Sequence, residues 1–123
     1  MAGGIERGDV RLYRFPPPPG TAAGTGPAGL HPPQSTPVLV LTRGSAIAYL
    51  TRVTVAPITS TIRGVPSEVP LGAEDGMRQS CVVNLHNVMT VAQRGLGRRL
   101  AQLRLRRMQE VCEALTFALG CDG

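Results

Sequence analysis

Three hydroxyl side chains and an arginine follow directly on an apolar stretch near the middle of the chain. Residues 53–58 read as a strand, and Thr59, Ser60 and Thr61 come next, with Arg63 two positions further on. Hydroxyl and guanidinium groups donate hydrogen bonds, so a cluster of them can stabilise the charge that develops on a phosphate ester during cleavage. RNA carries its own nucleophile, the 2′-hydroxyl, so a protein that cleaves it must position that group, transfer protons and stabilise charge. The structural alternative is that these threonines are strand-forming residues that lead into a turn.

The remaining residues with reactive side chains form no familiar catalytic or metal-binding pattern. His31 and His86 lie far apart in sequence, and Cys81, Cys112 and Cys121 show neither CxxC spacing nor an even number. We therefore expect no metal site and no disulfide framework, and the cysteines should be reduced thiols of a cytoplasmic protein. The sequence also lacks a nucleotide-binding glycine fingerprint and a nucleophile elbow, and we expect no cofactor.

The charge balance favours an anionic partner. The 123 residues contain 13 basic residues, all of them arginine, and 8 acidic ones, for a net charge of +5. Nucleic acid is the usual partner of so basic a small domain. Residues 94–107 carry several arginines and no acid, which is typical of a solvated face or of a surface for an acidic partner, and contact of this cluster with RNA is a further alternative. No apolar run approaches the ~20 residues that span a bilayer, and the start of the chain lacks a signal peptide, so we expect no membrane association.

Alternating or continuous apolar runs predict six β-strands in a chain of suitable length for one domain, residues 1–123. The run PVLVL at 37–41 is continuous, as in a central strand that is buried on both faces. Two prolines in and directly before residues 67–71 indicate an edge strand. The predicted strands are 8–15, 37–41, 53–59, 67–71, 80–91 and 97–103.

A helix and a long loop complete the predicted fold. From residue 105 the apolar spacing changes to three and four, which predicts a C-terminal helix that Gly120 ends. Residues 16–36 are rich in proline and glycine and predict a long loop. The fold class is therefore mainly β with α: a small, mostly antiparallel barrel or curled sheet that the helix closes. The predicted apolar face of the helix, which would pack in the core or form a dimer contact, comprises Leu105, Met108, Cys112, Leu115 and Leu119.

Five blocks of sequence occur in the order, and at about the spacing, of a known protein family. They are GDV at 8–10, PVLVLT at 37–42, VTVAPITSTIRGVPSEVPL at 53–71, SCVVN at 80–84 and LGRRL at 96–100. In these blocks the chain resembles the MazF/PemK toxins, the ribonuclease halves of bacterial toxin–antitoxin pairs. The resemblance implies an SH3-like barrel of the MazF/CcdB type, a homodimer and a cognate, MazE-like antitoxin. It also implies metal-independent cleavage of single-stranded RNA, which leaves a 2′,3′-cyclic phosphate and a 5′-hydroxyl.

The resemblance implies roles for individual residues as well. The family's strand-end threonine falls on Thr59, which would donate a hydrogen bond to the scissile phosphate. Arg63 would be the nearest cationic helper, and the loop at 16–36 would line the RNA groove. The predicted RNA-binding residues are Ser60, Thr61, Arg43 and His31.

Two positions depart from the family pattern. Thr36 stands where the family has an arginine assigned to proton transfer and charge stabilisation, and threonine has neither the charge nor the bidentate donors. His86 stands where an acidic residue is common. Three hypotheses therefore stay open: an active endoribonuclease in which Arg63, Arg43 or His31 fills the gap, a non-catalytic homologue that still binds antitoxin or RNA, and a toxin that poisons gyrase through protein contacts.

Overall fold

A computed structural model describes residues 4–14 and 35–121, and these form seven β-strands and two α-helices. Three 3₁₀ turns, Ala73–Asp75, Leu85–Asn87 and Gln93–Gly95, connect strands. All but the last two residues of the predicted loop at 16–36 lie outside the described residues. In chain order the elements are β1 (Asp9–Arg14), β2 (Ser35–Val40), α1 (Gly44–Ile47), β3 (Arg52–Thr59), β4 (Glu68–Leu71), β5 (Cys81–Asn84), β6 (Met89–Ala92), β7 (Leu96–Gln102) and α2 (Leu105–Leu119).

The strands form one antiparallel sheet in the order β4-β5-β3-β2-β1-β7, with β6 beside β3. The predicted mainly β fold with a C-terminal helix is confirmed. The sheet of the described residues does not close into the barrel that the prediction named. In this part of the chain β4 and β7 lie at opposite ends of the sheet and do not pair. The edge position predicted for β4 is also confirmed, since an edge strand tolerates Pro70, which has no N–H to donate.

The strand β2 lies inside the sheet and is buried on both faces, as its continuous apolar run predicts. Leu39 faces the main core, which α2 covers. Val38 and Val40 face a second apolar cluster, which Ile47 of α1 helps to cover. Burial on both faces holds β2 in place between β1 and β3, the strand that ends in Thr59.

The helix α2 has the predicted extent but buries a different face. Gly120 ends it in the left-handed conformation, with φ of 70°. Leu105, Cys112 and Leu119 are exposed, so this part of the predicted apolar face does not belong to the core, and its alternative role as a dimer contact stays a prediction. The helix carries two overlapping apolar stripes, and contact with the sheet selects the other one. The buried or partly buried residues of that stripe are Met108, Val111, Ala114, Leu115 and Ala118.

The single strand predicted at 80–91 is wrong, because the structure has two strands there. Both β5 and β6 pair with β3, and the turn Leu85–Asn87 separates them. Asn84 stabilises the turn through its side-chain oxygen, which accepts the N–H of His86 at 3.1 Å. The sequence pattern conceals this break because Leu85 is buried and continues the apolar pattern through the turn.

Candidate active site

Thr59 ends β3 at the point where this strand pairs with β5. Its partner there is Val82, and its hydroxyl oxygen accepts the N–H of Thr61 at 3.1 Å. A hydroxyl that accepts one hydrogen bond still has its own proton to donate. Thr59 is half-buried, while Ser60 and Thr61 are exposed. The N–H of Thr61 therefore orients the Thr59 oxygen and leaves its O–H available to a ligand.

An open cleft of about 650 Å³ lies beside the tip of β3. Thr59 and Ser60 line it together with Arg98 and Arg99 of β7 and with Arg78, which lies in the loop before β5. In the described part of the chain no carboxylate lines this cleft, so its charge is positive and suits an anion. The other lining residues are Leu12, Pro37, Ile58, Gly76, Met77, Gln79, Cys81 and Leu100.

Two irregularities in β7 bring neighbouring arginines to the same cleft. The register of β7 against β1 shifts between Val10 and Arg11 and again between Arg11 and Tyr13. Such bulges add a residue to one strand, bend it and redirect its side chains. In a regular strand Arg98 and Arg99 would point to opposite faces, whereas here both line the cleft.

A buried carboxylate connects β7 to β1 next to these arginines. Asp9 has no exposed surface, and its oxygens accept hydrogen bonds from Arg11 at 2.9 Å and from Gln102 at 3.1 Å. It also pairs with Arg99 at 3.4 Å and accepts the backbone N–H of Glu6 at 3.0 Å. Because Asp9 is bonded to both strands, it holds Arg99 in place and offsets part of its charge.

The segment that follows Thr59 is anchored by a second buried carboxylate, that of Glu68. One of its oxygens accepts the N–H groups of Arg63 at 3.0 Å and of Gly64 at 2.9 Å. The Arg63 side chain is exposed and is not among the residues that line the cleft. Glu68 therefore fixes the backbone of this segment, but the guanidinium of Arg63 lies outside the cleft that Thr59 lines.

Replacing Glu68 with alanine is expected to destabilise the protein by about 2 kcal/mol, because two N–H groups lose a charged acceptor. The measurement is the free energy of unfolding from urea titrations. The matched control is Glu113→Ala, which removes an exposed carboxylate from α2 and should change this free energy by no more than about 0.5 kcal/mol. Equal effects of the two substitutions would show that Glu68 does not anchor the segment.

Comparison with known proteins identifies the family. The sequence model of the PemK-like, MazF-like toxins of type II toxin–antitoxin systems matches residues 6–119. The chain belongs to this toxin family. The family resemblance that the five sequence blocks indicated is thereby confirmed.

Individual relatives of this MazF-like toxin agree with that placement. Endoribonuclease MazF3 of Mycobacterium tuberculosis is 42% identical over 86 residues, which are 70% of this chain and 84% of the relative. The solved structure of the Mycobacterium tuberculosis toxin MazF-mt6 superposes with a TM-score of 0.73 at 31% identity, over 91% of this chain and 96% of that one. An endoribonuclease from a mycobacterial species, solved in complex with its cognate antitoxin, shares the fold, with a TM-score of 0.72 at 24% identity over 95% and 96% of the two chains.

Arg43, which the sequence suggested for the MazF-like site, is not among the described residues that line the cleft. Arg43 comes shortly after the end of β2. The N–H of Leu41 donates to the carbonyl of Thr54 at 2.9 Å, so the chain that leaves β2 lies beside Thr54 of β3. Arg43 therefore lies near the opposite end of β3 from Thr59, about five strand residues away at roughly 3.3 Å each. His31 lies outside the described residues.

The two departures from the family pattern have distinct positions in this MazF-like chain. His86 lies in the turn between β5 and β6, where its ring bonds the Ser67 hydroxyl, and it is not among the cleft residues. Thr36 pairs with Tyr13 of β1. The β2–β3 register runs from Val40↔Val55 to Val38↔Pro57, and two further steps along it place Thr36 level with Thr59.

Sequence reasoning assigned no role to Arg78, and it placed Arg98 and Arg99 in a charged surface for which RNA contact was only one alternative. The two adjacent arginines were visible in the block LGRRL. No signal in the sequence shows that bulges direct both to one cleft, or that the loop carrying Arg78 lies beside β7. These placements depend on the register of β7 and on tertiary contacts.

The cleft also contains a thiol, which the toxin keeps neutral. Burial raises the pKa of the Cys81 thiol above its ordinary value, and the negative charge of Asp75 adds to the rise. A thiol with a raised pKa is protonated at neutral pH and is a poor nucleophile. Cys81 therefore contributes packing to the cleft wall, whose polar side chains are the hydroxyls of Thr59 and Ser60, the guanidinium groups and the amide of Gln79.

Among the described residues of this MazF-like toxin, no helix is long and apolar enough to cross a membrane.

Proposed function

We propose that this protein is the toxin of a type II toxin–antitoxin pair and an endoribonuclease that cleaves single-stranded RNA. One observation carries the proposal: Thr59 lines an open cleft together with Arg78, Arg98 and Arg99. A relative that is 42% identical over 84% of its own length bears the name endoribonuclease. That name supports RNA cleavage over the poisoning of gyrase.

The proposed reaction needs only proton transfer and charge stabilisation. The 2′-hydroxyl of the substrate loses its proton as its oxygen bonds to phosphorus, and the bond from phosphorus to the 5′-oxygen breaks. The 5′-oxygen takes up a proton, which leaves a 5′-hydroxyl and a 2′,3′-cyclic phosphate. Thr59 donates a hydrogen bond to a non-bridging oxygen, where negative charge grows in the transition state. Ser60 contacts the substrate at the rim of the cleft, and Thr61 and Arg63 extend this contact beyond it.

The proposed partners follow from the family and from the charge. A mycobacterial relative with this fold was solved with its cognate antitoxin, and we assign a MazE-like antitoxin to this toxin too. An acidic segment of that antitoxin would complement the net charge of +5. We further propose a homodimer, a single domain over residues 1–123 and a cytoplasmic location, as the family resemblance implies.

The function is tested by incubating the purified protein with a long single-stranded RNA, with and without EDTA, and by mapping the ends of the products. The expected result is cleavage at defined sites that EDTA does not prevent, with 2′,3′-cyclic phosphate and 5′-hydroxyl ends. Loss of cleavage with EDTA, or ends that carry a 5′-phosphate, would contradict the proposed chemistry.

A second candidate function is supported by one observation. Thr36, level with Thr59 on the neighbouring strand, supplies no charge where the family has an arginine. A non-catalytic homologue would bind RNA or antitoxin through the same cleft without cleaving RNA. The same incubation separates the candidates, because such a homologue leaves the RNA intact while a mobility-shift assay still detects its complex.

A further inference from the structure

We propose that Arg78 and Arg98 form the cationic part of the phosphate-binding site that faces Thr59, and that they supply the charge that Thr36 does not. The inference rests on the proposed function, because its ligand is a phosphodiester of single-stranded RNA. Neither arginine was assigned to the site from the sequence.

Arg78 and Arg98 are the cleft arginines whose charge is not offset by a carboxylate. Arg99 pairs with Asp9 at 3.4 Å and with Glu6 at 3.6 Å. Within the described part of the chain, neither Arg78 nor Arg98 has an ion pair or a hydrogen bond from its guanidinium group. The stretch between β1 and β2 contains no acidic side chain that could offset them. An exposed, unpaired guanidinium can bind a phosphate through two parallel hydrogen bonds.

Most of the other carboxylates bond to groups other than the guanidinium groups of Arg78 and Arg98. Asp75, Glu74 and Glu110 all pair with Arg107, at distances of 2.9 to 3.0 Å. These bonds, with Asp75 first, raise the pKa of Arg107 above its ordinary value. Glu68 accepts the N–H groups of the segment after Thr59. Asp75 is next to Gly76 of the cleft wall, but its ion pair is with Arg107, and none of these carboxylates pairs with Arg78 or Arg98.

The two arginines project from elements that lie against each other. A Cβ placed on Gly76 would approach the Cβ of Ala101 in β7 to 3.2 Å, so the loop backbone lies directly on β7. Gly76 also has φ of 87°, a conformation that favours glycine. Arg78 lies two residues after this contact and Arg98 three residues before it on β7. Because Arg78 and Arg98 lie on adjoining walls of one cleft, we expect both to contact the same phosphodiester rather than to bind two separate ligands.

The position of Thr36 explains why the charge must come from elsewhere. Continuation of the β2–β3 register places it level with Thr59, and it is not itself among the residues that line the cleft, although the next residue, Pro37, is. A threonine offers one neutral donor at this point, whereas phosphate cleavage builds additional negative charge. Cations on β7 and on the loop before β5 can neutralise that charge from the opposite walls.

Arg98 has an alternative role as a charged residue of an edge strand, and the experiment must distinguish this role from phosphate binding. It lies in β7, the last strand of the described sheet, and charged side chains on edge strands prevent sheets from joining edge to edge. This role concerns solubility and requires no contact with RNA. It predicts aggregation of an Arg98→Ala variant but no specific loss of RNA affinity.

Binding to random-sequence 2′-O-methyl RNA tests the inference without cleavage, because the nucleophile of that RNA is blocked. Arg78→Ala and Arg98→Ala should each lower the affinity about tenfold or more. The slope of log K against log salt concentration should also decrease by about 0.7 for each arginine removed. Arg106→Ala, which removes an exposed arginine of α2 outside the cleft, is the matched control and should keep the affinity within about twofold.

Cleavage of a long transcript provides the second measurement. Arg98→Ala should lower kcat/KM about tenfold or more, and adding Thr36→Arg to this variant should restore most of the loss.

If Arg78→Ala and Arg98→Ala bind RNA as Arg106→Ala does, or if Thr36→Arg restores nothing, the inference is overturned. If the unaltered protein binds RNA but does not cleave it, the proposed nuclease fails, while the binding series still decides the role of Arg78 and Arg98. Absence of RNA binding by the unaltered protein would overturn the inference as well.

Discussion

Replacing Thr59 with valine is expected to lower the rate of RNA cleavage by about 10²–10³-fold, because a well-placed hydrogen-bond donor to the developing charge is lost. Valine keeps the branched shape of threonine and suits a strand end. The Thr59 oxygen otherwise accepts only the N–H of Thr61 among the described residues, and that N–H lies on an exposed residue and can bond water instead. The loss should therefore appear in kcat, with the melting temperature nearly unchanged.

Two control variants make this expectation specific. Thr59→Ser keeps the hydroxyl and should retain most of the activity, because its oxygen can still accept the Thr61 N–H and donate to phosphate. Thr61→Ala keeps the backbone N–H that orients the Thr59 oxygen and should cost much less than the valine substitution. Equal rates for Thr59→Val and the unaltered protein would remove Thr59 from the active site.

Replacing Asp9 with alanine is expected to destabilise the protein by about 3–5 kcal/mol, because the substitution leaves a buried guanidinium without its anion. Asp9 is fully buried and the Arg11 side chain is 9% exposed. The remaining hydrogen bonds of Arg11, to the carbonyls of Gly97 at 3.0 Å and of Gly4 at 3.1 Å, supply no negative charge. Unfolding in urea, followed by circular dichroism, measures the effect.

The same network offers a matched control for Asp9. Glu6→Ala removes the exposed carboxylate that pairs with Arg99 at 3.6 Å. An exposed pair of this kind contributes at most about 1 kcal/mol. A double variant, Asp9→Leu with Arg11→Met, replaces the pair with apolar side chains and should recover part of the lost stability. If Asp9→Ala costs no more than Glu6→Ala, the buried network does not hold β1 and β7 together.

The sequence predicted the architecture well where burial imposes a regular pattern. The continuous apolar run of β2 indicated a strand buried on both faces, the apolar residues of β3 indicated a second strand, and the prolines at β4 indicated its edge position. The helix α2 was predicted with its glycine end, but not with its buried face. Two apolar stripes overlap in that segment, and the sheet against which it packs decides between them. The break between β5 and β6 was hidden for a related reason, since buried Leu85 keeps the apolar pattern unbroken.

The candidate site could be predicted only in its local part. Thr59 and Ser60 are adjacent in sequence and line the cleft together. Arg78 and Arg98 come from a loop and a bulged strand that meet only in the folded chain, and bulges leave no periodic trace in the sequence. Arg63 was proposed because it lies close to Thr59 in sequence, yet its segment turns toward Glu68 and its side chain stays outside the cleft.

The strand β3 is bonded along one side to two partners rather than one. Its first residues pair with β6 and its last two with β5, and the three residues of the turn Leu85–Asn87 keep those ladders out of phase. If β3 moved along its own axis, it would lose its hydrogen bonds to β5 and to β6 at the same time, because the two ladders have different registers. The double ladder therefore fixes the position of β3 along its own axis, and with it the position of Thr59 in the wall of the cleft.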